Sequence, residues 1–154
     1  IGKAYLDWIA EDLKPWVDGA FRTRTEADFT GIMGYSTGGL FAIYAALARP
    51  DLFSRLAALS SAVYIWKEEL EAFLQRGSYG HLKRIYMDVG TNEYGRITTK
   101  EEFLEGAELM YRAYLEHGVR PERILYHVFP DAVHSQTDWK MRFPDALRWI
   151  FADA

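Results

Sequence analysis

One short stretch combines glycines and a serine in a way that could display a nucleophile. Residues 34 to 38 read GYSTG and fit the pattern G-x-S-x-G, at a point where a strand-like apolar run gives way to a helix-like one. In such a turn the serine has a strained backbone and its hydroxyl points outward, while small neighbours let strand and helix approach closely. The alternative is a plain glycine-rich turn with a solvated Ser36.

Four histidines could supply the base that a serine nucleophile needs. His117 lies at the end of a predicted helix, and His81 precedes a predicted strand. His127 lies inside a predicted strand, where we expect a satisfied role in the core. His134 lies in the loop after the last predicted strand and is the candidate base for Ser36.

Residues 87 to 93, MDVGTNE, offer carboxylates that could orient a histidine. Asp88 belongs to a predicted strand, whereas Glu93 lies in the following loop with the reach to meet His134, so we favour Glu93. Three other carboxylates stay open as alternatives: Asp88, Asp131 and Asp138. The order serine, acid, histidine along the chain is that of the α/β-hydrolase arrangement.

Four short apolar runs predict the strands that would position these groups: Phe29 to Tyr35, Leu56 to Ser60, Arg84 to Val89 and Ile124 to Phe129. The runs are continuous rather than alternating, as expected where both faces of a parallel sheet are covered. Helices are predicted over about 4–14, 40–47, 66–76, 99–117 and 136–152. This alternation predicts a right-handed, doubly wound α/β fold with a mainly parallel sheet of about four strands, helices on both faces, and ligand chemistry at the carboxyl ends of the strands.

Two of these helices carry clear signals. The run at 40–47 is apolar nearly all round and should be interior. Thr98 or Thr99 can cap the helix over 99–117, and Gly118 suits the left-handed conformation that ends a helix. The apolar positions of that helix recur at spacings of 4, 3 and 4, which predicts one buried stripe: Phe103, Ala107, Met110 and Tyr114.

The composition limits the classes of function. The 154 residues, 49% of them hydrophobic, predict one globular domain over residues 1–154. The 18 basic and 22 acidic residues form no basic block, so nucleic acid is not expected as a partner. Cysteine is absent, which excludes disulfides and thiolate metal sites but indicates no compartment. The uncharged run at 29–48 is broken by glycines and hydroxyls, so we expect no membrane span.

Several motifs together resemble one known family. The stretch GYSTGGL at 34–40, followed by RPDLF at 49–53 and LSS at 59–61, is similar to the putative-esterase (esterase D-like) family of α/β-hydrolases. That family includes feruloyl esterases, enterochelin esterases, S-formylglutathione hydrolases and mycolyltransferases. The similarity continues through DVGTNE at 88–93 and through His134-Ser135 with Trp139 behind them, and it covers essentially the whole chain.

The resemblance implies a serine carboxylic-ester hydrolase that works on a small-molecule ester through an acyl-enzyme, without metal or cofactor. In that scheme Ser36 attacks, His134 transfers the proton and Glu93 orients the imidazole, while the amide of Thr37 donates to the oxyanion. Five aromatic residues near the strand ends are candidates for lining the substrate pocket, although core packing would explain each of them as well: Tyr35, Tyr64, Trp66, Tyr94 and Trp139.

The resemblance also implies missing strands. In the family, several strands precede the helix that matches residues 1–16, and the chain begins IGK, without an initiator methionine or a signal-peptide pattern. We therefore expect the C-terminal part of an α/β-hydrolase domain, holding one of the two usual oxyanion donors. The predicted strand at 29–35 would then be an uncovered apolar edge through which the isolated piece could self-associate.

Other functions stay open beside the ester hydrolase. An acyltransferase of the same family would use the same residues. A prolyl-oligopeptidase-like peptidase also uses G-x-S-x-G-G, but its typical acid loop of the form G-x-x-D-x-x-V-P is absent. A non-catalytic binding module with a hydrolase fold is the third alternative, and the presence of all three candidate groups argues against it.

Overall fold

The computed structural model describes residues 2–77 and 79–152. Its strands are β1 (Gly31–Tyr35), β2 (Arg55–Leu59), β3 (Arg84–Gly90) and β4 (Ile124–Phe129). Its α-helices are α1 (Gly2–Trp8), α2 (Lys14–Ala20), α3 (Thr37–Ala48), α4 (Lys67–Leu74), α5 (Lys100–Glu116) and α6 (Gln136–Ile150). A π-helical segment, Ile9–Leu13, joins α1 to α2, and short 3-10 turns lie at Ala27–Phe29, Val63–Trp66 and Pro121–Arg123.

The four strands form one parallel sheet in the order β1-β2-β3-β4. In the register of the sheet, Tyr35 lies opposite Leu59, and Leu59 lies opposite Asp88. The strand prediction is confirmed, with boundaries that differ by no more than two residues. Because the strands are parallel, the segments that follow β1, β2, β3 and β4 all emerge at one edge of the sheet.

Helices cover both faces of the sheet, as predicted. Leu56 and Ala58 of β2 pack into the larger apolar cluster, which also holds residues of α3 and α5. Ala57 and Leu59 point to the opposite face, into a smaller cluster with residues of α6. All five residues of β2 are buried, which explains why its sequence is a continuous apolar run. Within the described residues each strand lies next to the one before it in sequence, always on the same side. The face of the sheet opposite to α3 and α5 is covered by α6.

The two helices with the clearest sequence signals, α3 and α5, form as predicted. Most of α3 is buried, in agreement with its apolar character all round. Thr99 caps α5 by accepting a hydrogen bond from the amide of Glu102, whose carboxylate in turn accepts from the amide of Thr99. Gly118 has a φ of 82° just after the helix. The predicted apolar stripe of α5 is buried at all four positions: Phe103, Ala107, Met110 and Tyr114.

The first helical stretch is longer than predicted. We expected a helix over about 4–14, but the chain stays helical from Gly2 to Ala20 and passes Pro15. A proline inside an α-helix removes a hydrogen bond and clashes with the carbonyl four residues earlier. The wider π-helical turn at Ile9–Leu13 lies just before Pro15 and accommodates it near the start of α2. Within the described residues, no helix has the length and apolar character needed to cross a membrane.

Candidate active site

Ser36 lies at a sharp turn between β1 and α3. Its backbone has a φ of 55° and a ψ of −125°, a conformation that non-glycine residues rarely adopt. The turn is held from both sides, since the amide of Ser36 donates to the carbonyl of Leu59 at 3.0 Å and its carbonyl accepts from the amide of Ala62 at 3.1 Å. A Cβ on Gly34 would lie 2.2 Å from the carbonyl oxygen of Gly38, so only glycine lets strand and helix approach this closely.

A line of two hydrogen bonds starts at the Ser36 hydroxyl. Its Oγ lies 2.9 Å from Nε2 of His134, and Nδ1 of His134 lies 2.8 Å from Oε2 of Glu93. A carboxylate only accepts hydrogen bonds, so Nδ1 carries the proton and the lone pair of Nε2 faces the hydroxyl of Ser36. This is the arrangement in which an imidazole can remove a proton from serine. The chain therefore brings together the three residues that its sequence singled out.

Glu93 is completely buried and both of its carboxylate oxygens accept hydrogen bonds. Oε1 accepts from the hydroxyl of Ser60 at 2.6 Å and from the amide of Gly90 at 2.5 Å. A Cβ on Gly90 would lie 2.3 Å from the carbonyl oxygen of Ala132, which in turn accepts from the amide of Asn92 at 3.1 Å. These close contacts tie the loop after β3 to the loop that carries His134.

Two aromatic rings fix the imidazole of His134. The ring of Phe103 lies at 4.5 Å between centroids and is tilted, and the ring of Trp139 lies at 4.7 Å, edge to face. Both residues are buried, so the imidazole has little freedom to turn away from Ser36 and Glu93.

The other three candidate carboxylates are not hydrogen-bonded to His134 in the described structure. Asp88 is buried and accepts from Nη1 of Arg142 at 3.0 Å and from the hydroxyl of Tyr86 at 2.8 Å. Burial raises the pKa of Asp88 to about 6, although the charge of Arg142 opposes that rise. Asp138 accepts from the amide of Val133 at 2.6 Å near the start of α6. Asp131 is exposed, so among these four carboxylates Glu93 is the one bonded to His134.

The remaining histidines have separate explanations. His117 bonds through Nδ1 to the carbonyl of Ala113 at the end of α5, and His81 bonds through Nε2 to the carbonyl of Ala46. The core role expected for His127 is wrong, because its side chain is exposed. Its strand, β4, is the last strand of the sheet and, within the described residues, pairs only with β3, so one of its sides has no neighbouring strand.

A cleft of about 650 Å³ opens at Ser36 and His134. Tyr35 and Trp139 line it, and their rings stack with centroids 4.3 Å apart. The amide of Thr37 opens α3, where the first amides of a helix have no partner within it. The three other predicted pocket aromatics are not among the residues that line the cleft: Trp66 packs against Tyr44, Tyr64 bonds to Glu105, and Tyr94 is exposed.

Several residues at the site were missed by the sequence reasoning. Arg96 and Ile97 line the cleft from the loop before α5, and Phe103 lines it from α5 itself. Ser60 and Arg142 lie behind Glu93, and both are buried. The sequence held a signal for Ser60, because LSS at 59–61 follows a predicted strand. It held none for Arg142, an ordinary charged residue in an amphipathic helix.

Backbone strain is concentrated around the site. Within the described residues, three non-glycine residues have positive φ: Ser36 at 55°, Ser60 at 45° and Asp131 at 58°. They follow the carboxyl ends of β1, β2 and β4. No cluster of three or more His, Cys, Asp or Glu side chains in the described part of the chain could hold a metal ion.

A model of the family described as "Putative esterase" matches residues 2–150. The chain belongs to this family. The relative "Uncharacterized protein YbbA" from Bacillus subtilis (strain 168) is 23% identical over 153 residues, which are 98% of this chain and 60% of YbbA. The resemblance inferred from the sequence motifs is therefore confirmed.

Solved structures show the same fold. The enterobactin esterase FES from Shigella flexneri, in the presence of 2,3-di-hydroxy-N-benzoyl-glycine, is 21% identical with a TM-score of 0.79, over 96% of this chain and 38% of FES. The ferulic acid esterase AmCE1/Fae1A from Anaeromyces mucronatus, in complex with ferulic acid, is 16% identical with a TM-score of 0.70, over 96% of this chain and 54% of that one. The chain thus spans about 60% of YbbA and smaller shares of these two structures.

Proposed function

We propose that this protein is a serine carboxylic-ester hydrolase in which Ser36, His134 and Glu93 form the catalytic triad. The observation that carries the proposal is the unbroken line from Ser36 Oγ through His134 to Glu93, at 2.9 and 2.8 Å. It begins at a strained strand-to-helix turn, which is how α/β-hydrolases display their nucleophile. Membership of the esterase family supports the same chemistry.

The reaction would proceed through an acyl-enzyme. His134 Nε2 takes the proton of Ser36 as Oγ attacks the ester carbonyl, and the resulting imidazolium returns that proton to the departing alcohol. Water then attacks the acyl group with the same histidine as base, which releases the acid and restores Ser36. Glu93 orients the imidazole and stabilises its charged form. The scheme uses no metal and no cofactor.

The developing oxyanion would face the amide of Thr37, with the positive end of the α3 dipole behind it. The resemblance implies that a second donor comes from strands that precede these residues in longer relatives. Removing one donor of an oxyanion hole costs roughly 10²- to 10³-fold in rate. We therefore propose that residues 1–154 are the C-terminal part of one esterase domain and that full activity requires the preceding part.

The cleft supports a small-molecule ester with an apolar or aromatic part. Its walls near Ser36 include the stacked rings of Tyr35 and Trp139 and the side chain of Phe103. Aromatic surfaces of this kind suit planar or apolar groups. One structural neighbour is named for enterobactin and another for ferulic acid, and both names are consistent with such a substrate class.

A fluorophosphonate probe tests the proposal, because it reacts covalently with an activated serine. The protein should be labelled, Ser36→Ala should not be, and Ser61→Ala should be labelled like the parent. Ser61 is the matched control, since its hydroxyl lies close by but makes no hydrogen bond within the described residues. Labelling that survives Ser36→Ala would refute the assignment.

Turnover distinguishes the alternatives. Dipeptide amides cleaved faster than aryl esters would indicate a peptidase, and new esters formed with an added alcohol would indicate an acyltransferase. A parent protein that turns over aryl ester no faster than His134→Ala does would indicate a binding module without catalytic function.

A further inference from the structure

A buried polar cluster lies behind Glu93, and its member Trp139 also lines the cleft. It consists of Ser60, Asp88, Trp139 and Arg142, and each of these side chains is at least nine-tenths buried. Arg142 enters from α6 and places Nη1 3.0 Å from Asp88 Oδ1 and Nη2 3.7 Å from Glu93 Oε1. A buried guanidinium is costly unless it is paired, so its position against two buried carboxylates requires an explanation.

The hydroxyl of Ser60 has only one direction open to its proton. Its Oγ accepts from Nε1 of Trp139 at 2.9 Å and from Nη2 of Arg142 at 3.2 Å. Indole and guanidinium nitrogens only donate, so both lone pairs of the hydroxyl are occupied. The proton must therefore point to Glu93 Oε1, which lies 2.6 Å away.

This geometry divides the two oxygens of Glu93 between two tasks. Oε1 receives the hydroxyl of Ser60, the amide of Gly90 and the charge of Arg142. Oε2 is left to accept from Nδ1 of His134 at 2.8 Å. Rotation of the carboxylate would break contacts on both sides, so the cluster fixes which oxygen His134 meets.

Building on the proposed ester hydrolase function, we propose that Arg142 and Ser60 are positioning residues for the triad. They hold Glu93 as a carboxylate with Oε2 aimed at Nδ1 of His134, and so they keep the proton of the imidazole on Nδ1 and the lone pair of Nε2 on Ser36. Trp139 supports them by donating to Ser60. None of these three side chains takes part in the proton transfers themselves.

The charges of the cluster suggest a second effect of Arg142. Glu93 counts as a carboxylate, and Asp88 counts as one at a pH above its pKa of about 6. Under those conditions one guanidinium leaves a net charge of −1, and the imidazolium formed during the reaction brings the sum to zero. Without Arg142 the sum would be −2, which would favour the imidazolium before substrate arrives. Other titratable groups near the site are Tyr86 on β3, His127 on β4 and Asp138 on α6. Tyr86 donates to Asp88 and its pKa is raised by burial, the ring of His127 stacks on that of Tyr86, and Asp138 accepts from the amide of Val133, next to His134.

The pH dependence of kcat/KM for an aryl ester tests this role. In Arg142→Gln the acid limb of this profile, where activity falls as the pH is lowered, should move to higher pH by about one unit. A charge within about 4–6 Å of a titrating group shifts its pKa by one to three units, and a more distant charge shifts it by less. Arg142→Lys, which keeps the charge, should leave the limb near its original position. Adding Asp88→Asn to Arg142→Gln restores the net charge and should move the limb back. Arg148→Gln removes an exposed charge of the same helix and is the control.

A second variant removes the hydrogen bond and keeps the charge. Ser60→Gly tolerates the positive φ of this position and should lower kcat by roughly tenfold at unchanged KM, as expected when a group that orients a catalytic ligand is lost. In proton NMR spectra the downfield signal of the His134 Nδ1 proton should be clear in the parent protein and in Arg148→Gln. It should weaken in Ser60→Gly and Arg142→Gln.

The outcomes separate this inference from the proposed function. Two results together would overturn the positioning role, whatever the loss of rate: an Nδ1 signal that stays unchanged in both variants, and an acid limb that stays unchanged in Arg142→Gln. If Arg142→Gln does not fold, Ser60→Gly alone decides by its Nδ1 signal and by its kcat at unchanged KM. If Ser36→Ala keeps full activity, the ester hydrolase proposal fails, but the NMR signal still reports whether Ser60 and Arg142 hold Glu93 against His134.

Discussion

Replacing Gly34 with alanine tests how tightly the turn at Ser36 is built. The added Cβ would lie 2.2 Å from the carbonyl oxygen of Gly38 and 2.3 Å from its carbonyl carbon. Both atoms belong to the backbone of the first turn of α3, so no side chain can rotate away to make room.

The size of the disturbance follows from these distances. Carbon and oxygen atoms in close contact lie roughly 3.3 Å apart, so β1 and the first turn of α3 must separate by about 1 Å. Ser36 lies between the two glycines, and its 2.9 Å contact with His134 would lengthen to nearly 4 Å, beyond a hydrogen bond. A misplacement of about 1 Å at a reacting group costs on the order of 10²-fold in rate. Overpacking of this kind also costs about 1 to 3 kcal/mol of stability.

The assay compares three glycines of the same segment. Gly38 has no atom within 4 Å of its hypothetical Cβ, and that of Gly39 would lie 2.5 Å from the rotatable Oγ of Ser61. Stability against urea should therefore fall most in Gly34→Ala, less in Gly39→Ala and not at all in Gly38→Ala, and kcat for an aryl ester should fall in the same order, least in Gly38→Ala. Gly38→Ala should even gain about 0.5 to 1 kcal/mol, because alanine favours a helix over glycine.

The order of the three variants is the decisive result. If Gly34→Ala hydrolyses the ester as fast as the parent, the close approach of strand and helix does not position Ser36. A Gly38→Ala variant as damaged as Gly34→Ala would refute the steric argument, since the two positions differ in the space around them.

Three further predictions concern single side chains. Burial raises the pKa of Asp88 to about 6 from 3.8, so the folded state binds its proton more tightly. The free energy of unfolding should therefore fall by about 2 kcal/mol as the pH rises from 4 to 7. Equilibrium urea unfolding should show that this part of the fall is absent in Asp88→Asn. Among the described residues that line the cleft, Arg96 is the one Lys, Arg, Asp or Glu. Arg96→Gln should therefore raise KM roughly fivefold for an ester with a carboxylate tail but not for a neutral ester, and added salt should reduce that difference. Thr99→Ala removes the cap of α5 and should lower stability to thermal or urea unfolding by about 1 kcal/mol without changing kcat.

The parts of the fold with local signals could be predicted from the sequence. The boundaries of β4 match the apolar run at 124–129, and α5 begins just after its capping threonine, Thr99. The order of the candidate groups along a parallel α/β pattern also predicted that Ser36 and His134 would meet at one sheet edge. Each of these inferences depends on residues close in sequence or on a rule that holds for parallel sheets in general.

The errors arose where distant parts of the chain decide the outcome. Arg142 meets Asp88 and Ser60 from 54 and 82 residues away, and nothing near it in sequence indicates that its charge is buried. The exposure of His127 depends on β4 being an edge strand, which only the strand order reveals. The helix passes Pro15 because the π-helical segment Ile9–Leu13 widens the turn before it.

The strained residues of the site bear on why serine is found where glycine would fit the backbone better. A non-glycine residue in a sparsely populated backbone conformation lowers stability by about 1 to 3 kcal/mol. Ser36 and Ser60 both have such a conformation. Glycine would relieve the strain at either position, but it would remove a hydroxyl from one hydrogen-bonded line that runs from Arg142 through Ser60, Glu93 and His134 to Ser36. The sharp turns after β1 and β2 aim both hydroxyls at this line from neighbouring strands. The strain is therefore tolerated at these positions because both the geometry and the hydroxyl are needed there.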